Sequence, residues 1–153
     1  MGKLSLPLKT SKQFLELIDV TDRYPSEFPH LRPTMLAQMA LESGWGTSAL
    51  ARDHYNFSGM KWREMMNGYA TPVVYKAWDG TAKYCKFENA KAYWDGYWHR
   101  LDANTAYDGW RDHTNTGDAF IGFIGPIWLG LSAKQNCKYV QEVLNIRQQN
   151  FGE

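Results

Sequence analysis

Apolar residues recur at helical spacing in several stretches of the chain. Phe14, Leu15, Leu17 and Ile18 form one such face, and Thr10 or Ser11 can cap the helix that carries it. Pro25, Pro29 and Pro33 then punctuate a loop, with Pro33 suited to the first turn of the next helix. That helix is predicted from about Arg32 to about Leu41 and is apolar nearly all round, through Met35, Leu36, Met39 and Ala40. It reads as the buried central helix, closed by Glu42-Ser43-Gly44-Trp45-Gly46, where the glycines supply backbone freedom. A short helix through Thr47 to Arg52 follows, capped by Thr47 or Ser48. From Asn67 to Tyr84 strand formers take over (Tyr69, Val73, Val74, Tyr75, Trp78, Tyr84), with Asp79-Gly80 as a hairpin turn. Helical spacing returns in Ala90 to Leu101 and again in about Lys134 to Gln148, which holds Tyr139, Val140, Val143, Leu144 and Ile146. The apolar run Gly117 to Leu131 is broken by Pro126. The expected class is α+β, mainly α: helices around one central helix, with a small β hairpin beside a cleft.

With 153 residues, the chain suits a single domain over residues 1–153. Seven Trp and nine Tyr are more large aromatics than a core this small requires, so some can line a groove, where flat rings suit sugars. The net charge of +1 includes no basic stripe, which argues against nucleic acid as a partner. No apolar stretch approaches a membrane span, and the start Met1-Gly2-Lys3-Leu4-Ser5-Leu6 has neither a signal-peptide core nor a myristoylation motif. Cys85 and Cys137 match no metal spacing; one disulfide and two free thiols both remain open.

Glu42 is the first candidate for chemistry. A carboxyl group at the C-terminal end of an apolar helix meets the negative end of the helix dipole and partial desolvation. Both favour the protonated form, which is what a glycosidase general acid needs at neutral pH. The structural alternative is a surface Glu paired with Arg52 or Lys61. The four His residues form no metal-binding pair, and Ser43 lacks the frame of a nucleophile elbow. Cys85 beside Lys86 is a poor sketch of an activated thiol.

The run Leu36-Ala37-Gln38-Met39-Ala40-Leu41-Glu42-Ser43-Gly44-Trp45-Gly46-Thr47-Ser48 resembles the signature of the glucosaminidase family of peptidoglycan hydrolases, with a Gln four residues before the Glu and Ser-Gly-Trp-Gly after it. Asn56-Phe57-Ser58-Gly59-Met60-Lys61 is similar to that family's Asn-x-Phe-Gly-x-Lys segment, with altered spacing. Tyr84-Cys85-Lys86-Phe87 stands where the family has Phe-Arg-x-Tyr. Tyr97 then matches a family Tyr, and Cys137-Lys138-Tyr139-Val140 resembles its Pro-x-Tyr-Ala segment. The resemblance spans roughly residues 30 to 146.

It implies a lysozyme-like fold that cleaves after N-acetylglucosamine in peptidoglycan, with Glu42 as proton donor and no metal or organic cofactor. The implied substrate contacts are Ser43, Trp45, Asn56, Phe57, Lys61, Trp62, Trp78 and Tyr97. Relatives often carry a second Glu on the hairpin, but Thr71 to Asp79 contains none. Asp79 is the carboxylate there, with Glu64 as an outside candidate. The substrate's own acetamido oxygen is a further possibility, oriented by Tyr97 or Tyr139, both of which also suit a core.

The leading expectation is an endo-β-N-acetylglucosaminidase. The alternatives are a muramidase or lytic transglycosylase of the same fold, a chitinase acting on chitin oligomers, and an inactive glycan-binding module. Such a protein acts in the periplasm or wall, and with no secretion signal here it leaves by another route or is an excised domain. Phage endolysin, autolysin and delivered toxin all fit; a toxin would add an immunity protein as partner.

Overall fold

The computed structural model describes residues 4–152 apart from positions 79, 131 and 132. Helix α1 (Lys12–Arg23) starts where Ser11 accepts a hydrogen bond from the Phe14 N–H, and it buries Phe14, Leu17, Ile18 and Thr21. Helix α2 (Arg32–Ser43) is buried along almost its whole length and packs against α1, α5 and α6. Helix α3 (Ala49–His54) is capped by Ser48. Strands β1 (Thr71–Ala77) and β2 (Gly80–Lys86) pair antiparallel, from Thr71 opposite Lys86 to Ala77 opposite Gly80. Helix α4 (Ala90–Ala103), capped by Asn89, turns Tyr93, Trp94, Tyr97 and Leu101 inward. Helices α5 (Gly117–Leu129) and α6 (Ala133–Asn150) complete the set. Short 3₁₀ turns at 29–31, 64–66, 105–107 and 110–113 link them.

The α+β, mainly α class is what the periodicity predicts, and each amphipathic stretch is the helix expected. Two expectations change. Pro126 does not break its segment, because it lies in the last turn of α5, before the Gly130 C-cap. The carbonyl it leaves without a donor belongs to Gly122, which is exposed, so water can satisfy it. The turn is also shifted: Gly80 already pairs with Ala77 and opens β2, while Asp79 lies outside the described residues. The cysteines are both free, Cys85 buried and Cys137 exposed. Among the described residues no helix is long and apolar enough to cross a membrane.

Candidate active site

Glu42 stands in the last turn of α2, and the residues after it explain how the chain leaves the helix there. Gly44 takes the left-handed conformation (φ 57°) and Trp45 follows at φ 59°, so both their N–H groups return to the Ala40 carbonyl. The Ser43 hydroxyl donates to the Met39 carbonyl (2.6 Å) and accepts from the Gly46 N–H (2.8 Å). Gly46, at φ 79°, lies so close to α1 that a Cβ there would come within 2.2 Å of Ser11 Oγ. Trp45 closes the turn by stacking on Phe151 (5.8 Å between centroids) and meeting Phe14 edge-on (5.6 Å). The motif is thus a tight helix exit that holds Glu42 at the edge of the core.

Glu42 borders a hollow of about 340 Å³, whose wall includes Ser58, Lys61, Arg63, Arg100 and Trp128. Burial raises its pKa above the ordinary carboxylate value, while Tyr139 pulls the other way. The carboxyl therefore keeps its proton to a higher pH than a solvated Glu. Among the described residues no cation pairs with it, neither Arg52 nor Lys61.

Behind Glu42 lies a polar relay inside the core. Gln38, one helical turn earlier on α2, is wholly buried and its Oε1 accepts from the Tyr97 hydroxyl (2.9 Å). The Gln38 Nε2 and the Tyr139 hydroxyl are both shut off from water without a hydrogen-bond partner of ordinary geometry among the described residues. Tyr139 still neighbours Glu42 and Gln38 closely: after burial itself, the Glu42 charge is what most raises its pKa, and Gln38 opposes that rise. Tyr139 thus lies against the Glu42 carboxyl, and the Gln38 Nε2 has no acceptor among the described residues.

Asn56 builds the opposite wall. It is fully buried; its Oδ1 accepts from the Met60 N–H (2.9 Å), and its Nδ2 donates to the carbonyls of Met60 (3.0 Å) and Cys85 (2.9 Å). This ties the 57–60 loop to β2, where the Cys85 N–H returns to the Met60 carbonyl and Lys61 bridges to Tyr84. Tyr93 supports the loop from below, its hydroxyl donating to Ser58 Oγ (2.8 Å).

The residues expected to meet substrate therefore divide. Glu42 and Lys61 line the hollow. Ser43, Trp45, Asn56, Phe57 and Tyr97 are all buried, at most 9% exposed, so direct substrate contact is corrected to support from behind. Their polar or ring groups are spent on the helix exit, the loop and the relay. Trp62 is half-buried, its backbone N–H donating to the Lys83 carbonyl, and it does not line this hollow. Trp78 is 97% exposed at the hairpin tip. Asp79 lies outside the described residues. Glu64 is exposed and opens the 3₁₀ turn at 64–66, apart from the hollow.

Ser58, Arg63, Arg100, Tyr107 and Trp128 line the hollow and Gln38 lies behind it; none is among the expected site residues. Gln38 had a readable signal, the i, i+4 spacing from Glu42; Tyr107 and Trp128 arrive from segments with no local signature. A larger hollow of about 950 Å³ lies on another face of α4, lined by Tyr69, Asp95, Trp98 and His99, and contains none of the expected residues. Among the described residues no three His, Cys, Asp or Glu side chains converge as metal ligands.

A desolvated carboxyl at a helix exit, facing a cleft, supplies one of the two carboxyl groups that glycoside hydrolases ordinarily use. The family described as mannosyl-glycoprotein endo-beta-N-acetylglucosaminidase matches residues 27–150, and the chain belongs to this glucosaminidase family. The catalytic domain of the autolysin Auto from Listeria monocytogenes shares its fold, at a TM-score of 0.53 and 19% identity, over 96% of this chain and 89% of that one. No curated protein matches the chain.

Proposed function

We propose that the protein is an endo-β-N-acetylglucosaminidase that cleaves peptidoglycan, with Glu42 protonating the glycosidic oxygen on the reducing side of an N-acetylglucosamine. The observation that carries this reading is the Glu42 carboxyl, unpaired among the described residues, raised by burial and open to a cleft. As the bond from the anomeric carbon to that oxygen breaks, the Glu42 proton passes to the departing oxygen.

Among the described residues no second carboxylate lines the hollow. This favours attack by the substrate's own acetamido oxygen, which bonds to the anomeric carbon and forms a cyclic oxazolinium. The Tyr139 hydroxyl, beside the Glu42 carboxyl, is suited to hold that acetamide in line. Water then opens the ring, returning a proton to Glu42 and leaving a reducing N-acetylglucosamine. The site of action is the periplasm or wall, and residues 1–153 act as one catalytic unit.

Muropeptides released from purified sacculi, reduced with borohydride and read by mass spectrometry, test this. Wild type is expected to give reduced N-acetylglucosamine ends, and Glu42→Gln to release them about 10³-fold more slowly. Reduced muramic acid or anhydro ends would move the enzyme to a sister activity. Undiminished release by Glu42→Gln would remove Glu42 as the acid.

A further inference from the structure

Charge around the cleft is lopsided on a chain whose total is nearly balanced, at +1. The Glu42 hollow shares Lys61 with a second hollow of about 330 Å³ along the hairpin, lined by Tyr75, Lys76 and Tyr84. Among the described residues, the charged side chains lining the two are Glu42 against Lys61, Arg63, Lys76 and Arg100. None of these four cations forms an ion pair among the described residues, whereas Arg23, Lys91, Arg111 and Arg147 all do.

Arg100 sets this apart from a merely solvated basic face. It is half-buried, and its Nη1 is closed off from water with no hydrogen-bond acceptor among the described residues. The guanidinium also hydrogen-bonds Tyr107, so it is the buried Nη1 alone that lacks an acceptor, and an incoming anion supplies one. Its charge favours the ionised forms of Tyr107, Cys85 and Tyr93. Glu42 is not its partner, since a paired guanidinium would hold that carboxyl down and Glu42 is raised. The planar fork of Arg matches a carboxylate with two parallel hydrogen bonds.

We infer that the cleft selects a glycan that carries carboxylates, and that Arg100 pairs with one of them, with Arg63 in the same wall. The inference rests on the reading of the cleft as the peptidoglycan-cleaving site and names what it recognises there. Peptidoglycan offers carboxylates from two sources: the lactyl arm of muramic acid once its peptide is removed, and the stem peptide itself. Chitin has the same backbone linkage and no carboxylate, so it is a poor ligand.

Calorimetric titration of the Glu42→Gln protein tests this without turnover, using four ligands. These are peptide-free glycan oligomers, the same oligomers with the lactyl carboxylates capped as methylamides, peptide-bearing oligomers, and chitin oligomers. The free carboxylates or the peptide-bearing form are expected to bind about tenfold tighter than the capped form and chitin. Arg100→Gln in that background is expected to lose the preference while its affinity for capped oligomers stays, and Arg100→Lys to keep part of it. Tighter binding of peptide-free oligomers assigns the lactyl carboxylate; tighter binding of peptide-bearing ones assigns the stem. Equal binding of all four ligands, a comparison that needs no change at Arg100, overturns the inference, as does a preference that survives Arg100→Gln. If sacculi are cleaved but no charge preference appears, this inference alone falls. If no glycan is cleaved or bound, the reading of the cleft falls with it.

Discussion

Tyr139 sits 7% exposed, its hydroxyl against the Glu42 carboxyl and Gln38. Burying that hydroxyl and its contact with the carboxyl act in opposite directions on stability, each by roughly 1 kcal/mol. Tyr139→Phe is therefore expected to melt close to wild type. If the hydroxyl orients the acetamide, the same change lowers kcat about 10- to 100-fold on glycan substrate with little change in KM. A thermal melt and steady-state kinetics on one preparation check both halves; unchanged turnover would make Tyr139 a packing residue. Most single positions were legible in the chain only as residue types. Glu42 could be read because a signature surrounds it, but the same signature made Trp45 and Phe57 look like sugar contacts when their rings close the core. Motif residues that recur for packing and those that recur for chemistry look alike until burial separates them.

At the scale of elements, the exit from α2 is the most constrained point. It needs left-handed backbone at Gly44, Trp45 and Gly46, and at Gly46 the room for a side chain is already taken by Ser11 of the α1 cap. Gly46→Ala is expected to destabilise the fold by about 3 kcal/mol, combining an unfavourable φ with overpacking. Denaturant unfolding measures it, and a loss below about 1 kcal/mol would mean that the α1 cap moves aside freely. The helices were readable because each buries one face, and apolar spacing records that directly, as Phe14, Leu17, Ile18 and Thr21 do in α1. Pro126 misled because a proline in a last turn costs less than one mid-helix, and spacing does not say where the helix ends. The turns at 105–107 and 110–113 have no periodicity to read, yet they bring Tyr107 to the cleft and Trp110 to the core.

For the molecule as a whole, a near-neutral sum conceals a division of charge. Lys61, Arg63, Lys76 and Arg100 line the cleft against Glu42, while Glu88, Asp95 and Asp102 line the larger hollow on another face of α4 against Lys86. Composition cannot show this, because the sorting is done by the fold. The screening length falls from about 30 Å at 0.01 M salt to about 8 Å at 0.15 M, so the cleft's attraction for an anionic glycan shrinks across that range. Turnover on peptidoglycan at low substrate is expected to drop several-fold over it, while any residual cleavage of neutral chitin oligomers stays level. Parallel salt dependence on both substrates would deny the cleft its electrostatic role.

The two thiols differ as sharply as the two faces. Cys85 is buried, its sulfur 3.6 Å from the Lys61 carbonyl and its pKa pushed up to about 11 by burial, so it stays protonated and out of reach. Cys137 is exposed on α6, two residues before Tyr139. A maleimide dye added at neutral pH therefore finds one sulfur on the unaltered chain. The protein comes with its own single labelling point, on the helix that brings Tyr139 to Glu42, from which energy transfer to a labelled glycan can follow the strand as it is gripped, cut and released.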